Sequence, residues 1–140
     1  MDDLSFLRAR IASYADYAHR DERHLVDMQV RAWVGEAIAA ARERLHPDGP
    51  AGDLADRIIT RCEFVDQALV RASDRGSFSD APFVDHVHAL DRSLIETADG
   101  AATVDADGFA ALLARLDGLL DERAGLIESA PVKRARDDAS

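Results

Sequence analysis

At 140 residues and 47% apolar side chains, the chain is long and apolar enough to bury a core as one domain, which excludes an intrinsically disordered chain. Its formal net charge of −10, from 27 acidic against 17 basic residues, argues against a nucleic-acid phosphate backbone as partner. A single cysteine, Cys62, excludes an internal disulfide framework, and the longest apolar run, Phe109 to Ala114, is far too short for a membrane span.

The N-terminus is acidic and no apolar leader core follows, so a cytoplasmic protein is expected. The charge is unevenly spread. Residues 76–130 carry 11 acids against 3 bases, so the second half is the acidic side and the expected docking side for a partner with a basic surface.

Apolar residues recur at three and four, never at two over a strand's length, so the fold is all-α. The first stripe is Leu4, Leu7, Ile11, Tyr14 and Ala18. A second, Val26, Val30, Trp33, Ala37, Ala41 and Leu45, points roughly a third of a turn away. Either two helices meet near His19 to Asp21, with Asp21 capping the second, or one long helix changes partners. A break is favoured.

The turn-rich stretch His46 to Gly52 precedes a helix from about Asp53, its cap, to Ala72, with Leu54, Ile58, Cys62, Val65 and Leu69 on one face. The next helix starts at Ser79 or Asp80, with Phe78 and Phe83 spaced as a hydrophobic staple and Pro82 in the first turn. Its buried stripe is Phe83, Val87, Leu90, Leu94 and Ala98, and Gly100 ends it. Asp105 caps the last helix, whose core face is Phe109, Leu112, Leu113, Leu116, Leu119, Leu120, Leu126 and Ile127. The expected architecture is an antiparallel four-helix bundle over residues 1–131, with the N-terminal segment as a fifth helix or an extension of the first. Residues 132–140 form a disordered charged tail.

Phosphate loops, dinucleotide fingerprints, nucleophile elbows and zinc-type Cys/His spacings do not occur in the sequence. The stretch Thr103 to Gly108 imitates an EF-hand loop, but Thr103 and Ala114 occupy the first and twelfth ligand positions, so it reads as a capped turn. His19, His24, His46 and His88 each follow an acid by three residues, a spacing that di-metal bundles use. His19 and His24 point away from the apolar stripes and His46 lies at a helix end, so the pattern reads as surface pairing. No metal and no cofactor is expected.

Asp91 lies inside the apolar stripe of its helix, His88 borders that stripe, and Asp66 borders the stripe of the helix before. A carboxylate facing a core must be paired or neutralised. Pairing of Asp91 with an Arg or Tyr from a neighbouring helix is the leading expectation; a ligand pocket at His88, Asp91 and Asp66 is the alternative. On the last helix, Gly118 and Gly125 lie opposite the leucine face with Ala111 and Ala114, where a second helix could approach closely.

The fragments Leu7–Ile11 and Leu119–Ile127 resemble phrases of the all-helical chorismate mutases and of flagellar export chaperones, each over fewer than a dozen residues. That resemblance to a mutase implies a helix lysine in the site, whereas the only lysine here, Lys133, is near the C-terminus. No family is assigned. The expected function is therefore a non-catalytic interaction module: an adaptor, chaperone or regulatory subunit that forms a two-fold homodimer through Leu4, Leu7, Ile11 and Tyr14 or through Gly118 and Gly125. The alternative is a bundle holding a metal or small ligand near His88 and Asp91.

Overall fold

In a computed structural model, residues 1–14, 17–64 and 67–133 are described, and among them there are helices and turns but no strand. The helices are α1 (Asp3–Arg10), α2 (Arg23–Leu45), α3 (Gly49–Glu63), α4 (Gln67–Asp74), α5 (Ala81–Asp99) and α6 (Ala106–Glu128). Helix α2 packs against α3 and α5, and α6 packs against the same two, so these four close a ring around the core. Helix α1 leans on α5 and α4 on α6. No helix among the described residues is long and apolar enough to cross a membrane.

The second half follows its sequence closely. Asp80 and Asp105 cap α5 and α6 by accepting the backbone N–H of Phe83 at 3.0 Å and of Gly108 at 2.8 Å. Phe78 and Phe83 meet edge to face with ring centroids 5.3 Å apart, closing the staple. The buried faces hold the expected apolar residues, with Leu112 and Leu126 at their margins.

The first half departs from expectation in three places. Helix α1 stops at Arg10 and Ile11 is extended, so Ile11 and Tyr14 lie beyond the helix whose spacing they continue. The break before α2 does occur, but Asp21 sits inside a 3-10 turn, Arg20–Glu22, and Glu22 takes the cap position without a side-chain bond. The face that α2 buries is Arg23, Val26, Asp27, Val30, Val34, Ile38 and Ala41, which leaves Trp33, Ala37 and Leu45 at its edge.

The expected single helix from Asp53 to Ala72 is two helices. Helix α3 begins earlier, at Gly49 with Pro50 in its first turn, and ends at an extended Phe64. Neither Gly nor Pro marks that break. The carbonyl of Arg61, in the last turn of α3, accepts Arg31 Nη1 of α2 at 2.9 Å. Helix α3 also lies close to α2: a Cβ built on Gly35 would sit 3.2 Å from that of Cys62.

Val132 and Lys133 belong to the expected frayed tail, yet Lys133 is anchored. Its N–H donates to the carbonyl of Arg75 at 2.8 Å and its Nζ pairs with Asp80 at 3.2 Å. Residues 134–140 of that tail lie outside the described residues.

Candidate functional site

Asp91 is fully buried at the middle of α5. Its Oδ2 accepts the hydroxyls of Tyr17 at 2.6 Å and Tyr14 at 2.9 Å, and its Oδ1 accepts Arg123 Nε of α6 at 2.7 Å. Arg123 reaches further, with Nη2 donating to the Tyr17 hydroxyl at 2.8 Å and Nη1 lying 2.7 Å from Asp27 Oδ1 of α2. Asp27 Oδ2 in turn accepts Arg31 Nε at 2.9 Å. Three ring helices and the segment after α1 are thereby tied into one polar knot, with Asp27, Asp91 and Arg123 all 3% exposed or less.

Three donors on one carboxylate occupy most of its lone-pair directions. The two carboxylates are balanced by two guanidiniums, Arg123 and the half-buried Arg31, so the buried charge is compensated within the chain. Burial pushes the Tyr14 and Tyr17 hydroxyls far above the ordinary tyrosine value, and the Asp91 carboxylate adds to it, so both remain protonated donors. Burial works against the charge of Arg123, but the pull of the Asp91 and Asp27 carboxylates outweighs it and holds its pKa well above the ordinary value. Among the described residues, these groups bond to one another.

The knot also explains the N-terminal segment. Tyr17 has a left-handed backbone, φ +67°, which costs a bulky residue roughly 1–3 kcal/mol. Its carbonyl is held by buried Arg23 Nε at 2.9 Å, and its ring stacks on Phe78 at 5.4 Å and on His88 at 6.1 Å. Arg8 Nε donates to the Tyr14 carbonyl at 3.4 Å. Continuing α1 would carry these tyrosines along a helix; their bonds to Asp91 take them across α5 instead.

Among the candidate ligand residues, Asp91 is therefore consumed by structural pairing. His88 is 5% exposed and borders two clefts, of about 490 and 300 Å³, with Asp85 on both. Asp66 lies outside the described residues. His19, His24 and His46 are exposed, and among the described residues no group of three or more His, Cys, Asp or Glu side chains could hold a metal ion. Burial pushes the Cys62 thiol up, away from a reactive thiolate.

The two candidate association surfaces fare differently. Leu7, Ile11 and Tyr14 are buried in the chain's own core and Leu4 packs against it, so the first stripe has a place without a second copy. Gly118 and Gly125 are exposed, and a Cβ at either would meet no atom within 4 Å. Among the described residues no helix covers them.

The acidic half is also less bare than its charge count implies. Arg57 and Arg61 of α3 reach Asp117 of α6, Arg61 also reaches Asp121, and Arg71 of α4 holds Glu128 through one nitrogen at 3.0 Å from each oxygen. Arg10 joins Asp99, whose other oxygen accepts the Trp33 indole N–H at 2.7 Å.

Sequence reasoning identified Asp91 but missed Asp27 and Arg123. The same signal was there for both. Asp27 lies next to Val26 in a stripe continued by Val30 and Val34, and Arg123 falls between Leu120 and Ile127 at helical spacing. No family model, curated protein or solved structure matches the chain.

Proposed function

We propose that the chain is a non-catalytic helical interaction module, an adaptor, chaperone or regulatory subunit, whose ring of helices is an antiparallel four-helix bundle with α1 and α4 laid against it. The observation that carries this reading is the buried knot. Asp27, Asp91 and Arg123, with the two tyrosines, pair with one another, which is the arrangement of a core fastening rather than of a reaction centre. Support for association comes from the open Gly118–Gly125 face of α6 and from Leu25 and Met28, one turn apart on α2, which are 49% and 47% exposed. The partner is a second copy forming a two-fold dimer, or a protein with a basic surface meeting Asp85, Asp107 and Glu122, which pair with no described residue.

Light scattering of the intact chain across micromolar concentrations tests self-association. A dimer that Gly118→Leu converts to a folded monomer supports it, because that position is open and tolerates bulk in a single chain. A monomer throughout overturns it. A second reading, a small ligand beside His88, is favoured by the two clefts that this residue borders. Metal analysis and an absorption spectrum of native-purified protein separate the two: a stoichiometric bound species overturns the module as stated.

A further inference from the structure

A cleft of about 510 Å³ lies between α2 and the end of α5, away from the knot. Its floor is alanine: Ala37, Ala40 and Ala41 from α2, Ala98 from α5 and Ala102 from the 3-10 turn that follows. At one end stand Trp33, Glu36 and Asp99, whose carboxylate already holds Arg10 and the Trp33 indole, and at the other Arg44.

Glu36 and Arg44 carry charges that no described residue opposes. Arg44 is pinned by two backbone carbonyls, those of Ala101 at 2.8 Å and Val104 at 3.1 Å, and among the described residues it meets no carboxylate. Glu36 is exposed and meets no cation among them. Arg44 differs in this from Arg42 and Arg61, which pair with Asp56 and Asp117. Glu36 and Arg44 are eight positions apart on one helix, about 12 Å or two turns.

We infer that this cleft is a docking groove for an amphipathic helix of a partner protein, with a small apolar face, a basic residue for Glu36 and an acidic residue for Arg44 two turns away. The inference rests on the interaction-module reading and specifies its surface. Alanines on the floor let a backbone approach, and a helix lying in a groove is read through anchors at successive turns. The charge order also sets direction. A helix tolerates acids best near its N-terminus and bases near its C-terminus. The partner therefore runs antiparallel to α2, with its N-terminal acid at Arg44 and its C-terminal base at Glu36, beside the Trp33 indole.

Trp33 is the only tryptophan in the chain, so its emission reports on the groove. The probe is a synthetic helical peptide with an alanine and leucine face, Glu near its N-terminus and Arg about eight residues later. The intact protein should give a saturable emission change with this peptide, weakened about tenfold or more when both ends carry Glu. Arg44→Glu should lose the first peptide and recover binding to one with Arg at both ends, a rescue that damage to the fold would not produce. Ala40→Arg, at an exposed position, should block both peptides while leaving the circular dichroism spectrum unchanged. No emission change up to about 1 mM peptide, or binding indifferent to Ala40→Arg and to the charge exchange, overturns the groove. A silent groove in a protein that still dimerises in light scattering removes this inference and leaves the module reading standing; a silent groove in a monomer removes self-association as well.

Discussion

The molecule uses the arginine–carboxylate contact in two regions at nearly the same distance. In the knot, Arg123 lies 2.7 Å from Asp91 and from Asp27, with side chains 3% exposed or less. Along the outside of α6, Arg57, Arg61 and Arg71 meet Asp117, Asp121 and Glu128 at 2.9 to 3.1 Å, with most of these side chains substantially exposed. Geometry alone does not distinguish them. Burial does. Water screens the outer pairs and rehydrates either partner when the other is removed, whereas a knot residue deprived of its partner keeps a charge in a medium that cannot solvate it.

The sharpest way to break this contrast is Arg123→Met, which takes the shared guanidinium from two buried carboxylates at once. It should destabilise by about 3–5 kcal/mol in urea unfolding, or leave the protein unfolded. A loss under about 1 kcal/mol would mean that the knot is as well hydrated as the surface. Asp91→Asn, nearly isosteric, should cost less than Asp91→Ala, since the amide oxygen still accepts a hydroxyl; both stay above any outer pair.

Tyr17→Phe removes one donor while Tyr14 and Arg123 remain on Asp91. A loss of about 1–3 kcal/mol is expected, with the helices intact by circular dichroism. The tyrosines also set an alkaline limit. Their folded pKa values are raised, so the fold keeps its protons where the unfolded chain begins to lose them. Stability is therefore full below pH about 10 and falls as pH climbs above it, and the fall should be shallower in the Tyr14→Phe, Tyr17→Phe double variant.

The smallest effect belongs outside. Arg71→Ala breaks a pair whose side chains are 54% and 59% exposed, and should cost under about 1 kcal/mol, shrinking further in high salt. A loss comparable to that of Arg123→Met would erase the distinction between the two regions.

How much of this was legible follows a physical line. The caps at Asp80 and Asp105, the Phe78–Phe83 staple and the buried faces of α5 and α6 are local: spacing and the hydrogen-bonding habits of short polar side chains determine them within a few residues. The sequence by itself likewise required a partner for Asp91, because an apolar stripe with a carboxylate in it admits no other stable outcome. It did not contain the choice among the possible partners. That choice brings together Tyr14, Tyr17, Asp27 and Arg123 from distant parts of the chain, and their bonds take the tyrosines off the helical path that their spacing continues. The end of α3 carries a tertiary bond of the same kind, the Arg61 carbonyl accepting Arg31 of α2. Local periodicity determines which face of a helix turns inward. Where a helix stops for the sake of a distant hydrogen bond is decided only when the helices meet, because the bond's worth depends on a burial that no local stretch of chain can provide.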